Sequence, residues 1–553
     1  MGRISLNIMV NGRNSLNNRL TAKMNGEISS FNLKNYNYNN IKLNGTIAGK
    51  TYDGSMTVSD PNIDVSFLGK VNLSNETPEF NFSAKVERAN LYKLKLDTTD
   101  SASFISFFAT ADFAGKNIDN VNGEIKLWNS TLKKTGKEIH INDFLLFTKN
   151  INDVKRIILR SDLVDAEIWG TYQLRELPQT FSWFVKHYLP SVIVKETAPE
   201  KSTLNNFSFD AELKNTRLLT DFFVPGLYIS RDSKLSGVYN PAEADINFKL
   251  TVPFMNFRGK KVYDIIVNGS SSDNNISLVS GCSSLKLNNR FSLDNFTITA
   301  DASGDTIYLK NRWNNWDSIA YKGNIASIIT FSPTKDNKFP KINIGISPSH
   351  VILHDTLWKI QPTVFSIDSN RIAVNHLELL YDNQKIITKG AISRIPDDKL
   401  IFNCSNVDIS VINSFMPGNY IELGGIVNGE AELSNLYKNP YFRSNLKVDS
   451  LKVNNETLGN TEIVAQWNNM DKSIDLSLTS LRGNLKTLEV NGVYQTLTQK
   501  LDGTIHLNKL KVNIFQPFTS FLISDLKGLV TGNLDVHGTI SEPVFNGEIN
   551  AQR

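Results

Sequence analysis

Period-two alternation of apolar and polar residues runs through most of this 553-residue chain, and nothing else in it constrains the fold as much. Successive side chains of a strand point to opposite faces, so alternation gives each strand one dry face and one wet face. Ile4, Leu6, Ile8 and Val10 alternate with Arg3, Ser5 and Asn7; Ile63, Val65 and Phe67 follow, then Phe80, Phe82, Ala84 and Val86. The pattern returns at Phe107, Ala109, Ala111 and Phe113, at Ile246, Phe248, Leu250 and Val252, at Ile474, Leu476 and Leu478, and at Val530, Leu534, Val536 and Ile540. Asn-Gly or Asp-Gly pairs at 11–12, 25–26, 44–45, 122–123, 491–492 and 502–503 read as tight hairpin turns, because such pairs supply positive φ angles. The expected fold is all-β: a long antiparallel meander curled into an elongated trough, a β-taco or open β-solenoid, with an apolar inner face and a few short helices. At roughly 13 residues per strand and turn, and about 4.8 Å per strand, that meander has about 40 strands over about 200 Å.

Helical periodicity is scarce. Residues 177–194 carry Phe181, Phe184, Val185 and Tyr188 at helical spacing, with Pro190 to end the run. A short helix plugging or crossing the sheet is expected there rather than a membrane-surface helix, since Lys186 is nearly its only basic residue. Residues 153–163 read equally as a helix or a strand. Three segments are expected: 1–200, a β-groove ending in the helical insertion; 201–400, a middle groove; and 401–553, a repeat-containing groove with its C-terminal docking domain truncated.

The repeats are internal and gap-free. Phe415, Leu423, Gly425, Val427, Gly429, Pro440 and Phe442 match Phe518, Leu526, Gly528, Val530, Gly532, Pro543 and Phe545 at a constant offset of 103, from Gly425 to Gly528. A weaker third copy sets Phe223, Pro225, Gly226, Tyr228, Ile229 and Gly237 against Phe415, Pro417, Gly418, Tyr420, Ile421 and Gly429, at an offset of 192. Such self-similarity marks a quasi-one-dimensional array, each repeat turning at Pro440 or Pro543.

Several function classes are excluded. Net charge is only +4 and no polybasic block occurs, so nucleic acid is not an expected partner. Phosphate loops, dinucleotide fingerprints and zinc or nucleophile motifs are missing. His350 and His354 share a strand face, as metal ligands would, but two exposed histidines are the plainer reading. Asp162, Asp165 and Glu167, and Asp397 with Asp398, read as solvated carboxylates rather than an acid–base pair. Trp313 and Trp316 read as a packed hairpin loop rather than a sugar platform. Cys282 and Cys404 leave a disulfide open. No apolar run of about 18 residues and no signal peptide occur, and both ends fall within strand-like sequence, as in an internal fragment. No enzyme, metal or cofactor is expected.

The block GLVTGNLDVHGTISEPVFNGEI (528–549), preceded by LNKLKVNIFQPFTSFLISDL (507–526), resembles the translocation and assembly module family, TamB, within the wider AsmA-like, bridge-type lipid transfer proteins. GIVNGEAELSNLYKNPYFRSNL, PEFNFSAKVERANLYKLKL (78–96), AQWNN and VNGVYQ are similar in style. The resemblance implies a periplasmic protein bridging inner and outer membranes, with an N-terminal inner-membrane anchor (missing here) and an outer-membrane barrel partner of the Omp85 type. The role it implies is phospholipid transport in outer-membrane biogenesis and protein assembly. A structural or adhesive β-solenoid stalk is the alternative. In the conduit reading, phospholipid acyl chains lie on a lining that includes Ile4, Leu6, Ile8, Val65, Phe67, Phe80, Phe82, Phe107, Phe113, Phe248, Leu250, Val427, Leu433, Leu476, Leu478, Val530, Leu534 and Val536.

Overall fold

The structure, a computed structural model, describes residues 4–14, 20–33, 35–152, 154–192, 205–240, 245–272, 274–288, 291–315, 320–334, 339–395, 397–415, 422–435, 441–454, 456–468, 470–496, 498–516, 527–539 and 542–552. It is 73 % strand and 6 % helix, and the 35 strands among the described residues belong to one antiparallel sheet. The alternation thus produces the all-β meander it requires. Most strands pair with their chain neighbours. Two places depart from this: the short strands Leu227–Ile229 and Ser233–Asn240 both pair with Asp245–Phe257, and Lys341–Ile346 and Ser349–Leu353 both pair with Lys322–Ser332. The ambiguous stretch at 153–163 contains a strand, Val154–Ser161.

The chain divides into two units, one of Met1–Phe184 with Thr197–Ser280, the other of Val185–Glu196 with Gly281–Arg553. The first has a small sealed cluster of Val86, Ala89 and Leu94. The second has a larger one, in which Val407, Val427, Val448, Leu507, Leu510 and Val530 are all buried.

The repeats share their register and one bulge. Lys399–Asp408 pairs with Leu423–Ser434, and that strand with Tyr441–Val453. At the same offset of 103 from Gly425 to Gly528, Lys500–Lys511 pairs with Leu529–Thr539, and that with Pro543–Gln552. The registers coincide: Leu433↔Phe442 answers Val536↔Phe545, and Gly429↔Leu446 answers Gly532↔Ile549. Each copy carries a bulge, between Cys404 and Val407 and between Leu507 and Leu510, followed by a 3-10 turn at Ile409–Phe415 or Val512–Phe515. Pro543 opens its strand, beside the turn closed by Thr539 and Glu542, where a residue without an N–H is tolerated; Pro440 lies outside the described residues. The third copy keeps the order strand, helix, strand, with helix α2 (Thr216–Phe223) after Asn206–Leu213. Its register differs: Gly237 faces Phe209 without a bulge.

The Asn-Gly and Asp-Gly pairs are not turns. Asn25-Gly26, Asn44-Gly45 and Asn491-Gly492 lie inside the strands Leu20–Leu33, Tyr36–Ala48 and Leu485–Gln495, and the other three pairs are also within strands. Here the asparagine takes the wet face and the glycine the dry one, where backbones approach closely. A Cβ on Gly45 would lie 2.6 Å from the Asp53 carbonyl oxygen and 2.9 Å from the Gly54 Cα. The true hairpin turns use other residues at positive φ, such as Thr135-Gly136, Arg258-Gly259 and His354-Asp355.

Helix α1 (Leu177–Tyr188) stops before Pro190, which disfavours helix at the residue preceding it. Its buried stripe is Thr180, Phe184 and Tyr188, whereas Phe181, expected on the apolar side, is 61 % exposed. Asn205, fully buried, donates to the Thr180 hydroxyl at 2.8 Å and so draws that residue inward.

Candidate functional site: an apolar lining

Cross-strand register assembles the dry faces into continuous rows. In the first unit one row runs Phe82–Ala111–Ile125–Leu146–Leu159–Ala166–Ala211–Leu235–Leu250–Val267, each residue opposite the next. Ten strands at about 4.8 Å make this row about 40 Å long. In the second unit a row runs Leu379–Ile386–Cys404–Gly429–Leu446–Ile463–Leu478–Val490–Ile505–Leu534–Gly547. No charged residue interrupts either row. Most of their side chains are half-buried rather than sealed.

Several glycines in these faces stand opposite an aromatic residue of the paired strand. A methyl on Gly69 would lie 2.5 Å from the Phe82 Cβ, one on Gly123 2.8 Å from the Phe113 Cβ, and one on Gly269 2.1 Å from the Phe248 ring. The rings then meet one another: Phe67 and Phe82 at 5.1 Å, Phe80 and Phe113 stacked at 4.8 Å. Aromatic residues thus stand beside bare backbone in the lining.

Of the residues expected to line a groove, Ile8, Val65, Phe67, Phe80, Phe82, Phe107, Phe113, Phe248, Leu250, Leu433, Leu476, Leu478 and Leu534 are half-buried. Phe82 and Leu250 share the first row, Leu478 and Leu534 the second. Val427, Val530 and Val536 are buried, at 8, 0 and 5 % exposure, and Val427 and Val530 belong to the sealed cluster. Ile4 and Leu6 sit on the strand Ile4–Asn14, opposite Phe31 and Ile28; their side chains lie outside the described residues. Sequence reasoning missed Leu146, Leu159, Leu446, Ile463 and Ile505 as row members. Their own alternation was the available signal, since each is apolar at a dry position of its strand.

The electrostatics agree with an apolar face. Burial pushes the Tyr172 and Tyr239 phenols up to about 12 and raises the Cys404 thiol. Helix α1 sits on this face in the first unit: Phe184 packs 5.9 Å from Tyr239, whose hydroxyl donates to the Thr180 carbonyl at 3.4 Å. The wet faces carry ion pairs such as Lys399–Glu432 at 2.7 Å and Lys511–Glu456 at 2.8 Å; exposed pairs of this kind are each worth about 0–1 kcal/mol.

The remaining candidates are structural. Asp165 pairs with Lys214 and Glu167 with Arg156, both at 2.6 Å, and Asp398 with Arg371 at 3.0 Å. His354 lies in a turn beside the Tyr321 hydroxyl. Trp313 covers Gly323 from its strand; Trp316 lies outside the described residues. Cys282 and Cys404 do not form a disulfide. Among the described residues no three His, Cys, Asp or Glu side chains converge as metal ligands, and no helix is long and apolar enough to cross a membrane.

A family model described as TamB, N-terminal domain, matches residues 364–551. Residues 364–551 are thus similar to that domain. The TamB match covers about a third of the chain, and the whole second row and, but for Gln552, both equivalent repeats fall inside it. Comparisons with curated proteins and with solved structures return no match.

Proposed function

We propose that the chain is a TamB-like, non-enzymatic bridge segment of the periplasm. It carries phospholipid along its apolar rows between inner and outer membranes, in outer-membrane biogenesis and protein assembly with an Omp85-type barrel partner. The observation that carries this reading is the second-unit row from Leu379 to Gly547, apolar or glycine at all its positions and half-buried as far as Leu534. Burying a tail methylene is worth about 0.8 kcal/mol, so an acyl chain leaves water for such a row and can slide along it without losing apolar contact. Direction comes from partners or lipid gradients.

The test is site-specific photo-crosslinking in a two-membrane bacterium. A photoreactive residue at Leu433 or Leu534 captures phospholipid; one at Glu432 or Asp535, on the opposite face of the same strands, does not. Equal labelling of both faces, or none at the inward positions, favours the structural stalk instead.

A further inference from the structure

At one edge of the first unit the lining changes from apolar to cationic. Along Asp245–Phe257, Phe248, Leu250, Val252 and Phe254 take the lining face, and the next position of that phase is Asn256. Asn256 faces Tyr228 across the sheet. The Tyr228 ring lies 5.9 Å from that of Phe254, which lies 5.1 Å from Tyr263, so an aromatic step ends the apolar row. The chain then turns at Arg258 and Gly259, with φ of 50° and 85°. Beside this turn opens a cavity of about 770 Å³ bordered by Lys214, Arg217, Tyr228, Arg231, Asn256 and Arg258.

Four cations line this cavity against one carboxylate, Asp221. Lys214 is engaged by Asp165 at 2.6 Å and Arg217 by Asp221 at 3.7 Å. Among the described residues Arg231 pairs only with its neighbour Asp232, at 3.9 Å, and Arg258 holds its guanidinium 5.2 Å from the Phe257 ring. Guanidinium forks match phosphate oxygens in pairs, so Arg231 and Arg258 are the groups best placed to engage one.

We propose that this cavity binds the phosphate of a phospholipid whose acyl chains lie on the adjoining apolar row, which makes Arg231 and Arg258 specificity-determining. The inference rests on the conduit reading and adds to it: tail sites are near-equal along the rows, and the headgroup is read at one place. Neutral lipids with the same tails gain nothing there.

The test uses the full chain and the double variant Arg231→Gln/Arg258→Asn; asparagine tolerates the positive φ of the turn, and equal melting curves confirm that the fold is kept. Each protein is equilibrated with vesicles of phosphatidylglycerol or with dispersed diacylglycerol of identical chains, and bound lipid is measured by mass spectrometry. Losing two cations lowers phosphatidylglycerol affinity about 30-fold and leaves diacylglycerol uptake unchanged. Unchanged phosphatidylglycerol uptake, or an equal loss for both lipids, overturns the proposal. A third arm titrates inorganic phosphate. If the variant loses phosphate binding but keeps phosphatidylglycerol, the cavity is a free-anion site and the lipid assignment falls. If the unmodified protein takes up neither lipid, the conduit reading itself has failed, a result distinct from all of these.

Discussion

Two stretches of the same strands in the second unit meet opposite fates. At the bulged end, Val407, Val427, Val448, Leu507, Leu510 and Val530 are sealed together, with Ile514 contributed by a 3-10 turn. Four residues further along, Leu534 and its row partners Ile505, Val490 and Leu478 stay half-buried. Both stretches obey the same alternation, so alternation does not decide whether a dry face becomes a core or a lining. The cover decides. The bulge shifts the phase so that Leu507 and Leu510, three apart, both face inward, and the 3-10 turn folds over them. Between the bulge and Val536, which is buried again, the strands run regularly and the face stays half-buried.

The sharpest way to break this contrast is to place the same charge in both stretches. Val530 is 0 % exposed, so Val530→Asp buries a carboxylate without a partner and costs more than about 4 kcal/mol, enough to lose the second unit's cooperative unfolding transition. Leu534→Asp sits where water reaches, and is expected to cost about 1–2 kcal/mol while stopping lipid transfer past that strand. Denaturant melts of the two variants check the ranking. Equal losses would mean that the row is a core like the bulged end.

A smaller effect separates two glycines that face each other in the open stretch, Gly492 and Gly503. A Cβ on Gly503 would lie 2.6 Å from the Asn491 carbonyl oxygen and 2.8 Å from the Gly492 Cα; on Gly492 the nearest atom is 3.5 Å away. Gly503→Ala should therefore destabilise by about 1–3 kcal/mol and Gly492→Ala by less than about 0.5 kcal/mol. Thermal denaturation distinguishes them, and a reversed order would show that the close approach does not constrain the strand.

The fold was legible because period-two alternation is direct physics: Phe80, Phe82 and Ala84 face inward for the reason their spacing suggested. The repeats were legible because glycine, proline and aromatic positions resist substitution by chance, and register and bulges follow them. The turns were misread. Asn44-Gly45 has turn chemistry, yet the strand uses its glycine for close approach to Gly54, and local composition cannot separate the two uses. Helical spacing groups Phe181 with Phe184 and Tyr188, yet Phe181 is exposed; the fully buried Asn205 that pulls Thr180 inward is far away in the chain. The cationic cavity was not legible at all, because Arg231 and Arg258 lie on separate loops that only the sheet brings together.

The last effect is the smallest and tests the equivalence of the two bulges. Each bulge places one residue in the left-handed region, Asn406 at φ 54° in one copy and Lys509 at φ 50° in the other. The surroundings match: the Asn406 N–H donates to the Asn428 side chain and the Lys509 N–H to the Thr531 hydroxyl, at 2.8 and 3.0 Å. Asparagine tolerates this conformation better than lysine, because its short polar side chain hydrogen-bonds the local backbone. Lys509→Asn should therefore stabilise by about 0.5 kcal/mol, and Asn406→Lys should destabilise by about the same. Asn406 also donates weakly to the Asn383 carbonyl at 3.4 Å, so its loss should be the larger of the two. Paired melts of the single variants and the double exchange read this directly. Opposite signs that nearly cancel in the double variant mean that the copies share one backbone device; two losses would mean that each bulge is fitted to its own neighbours despite the common register.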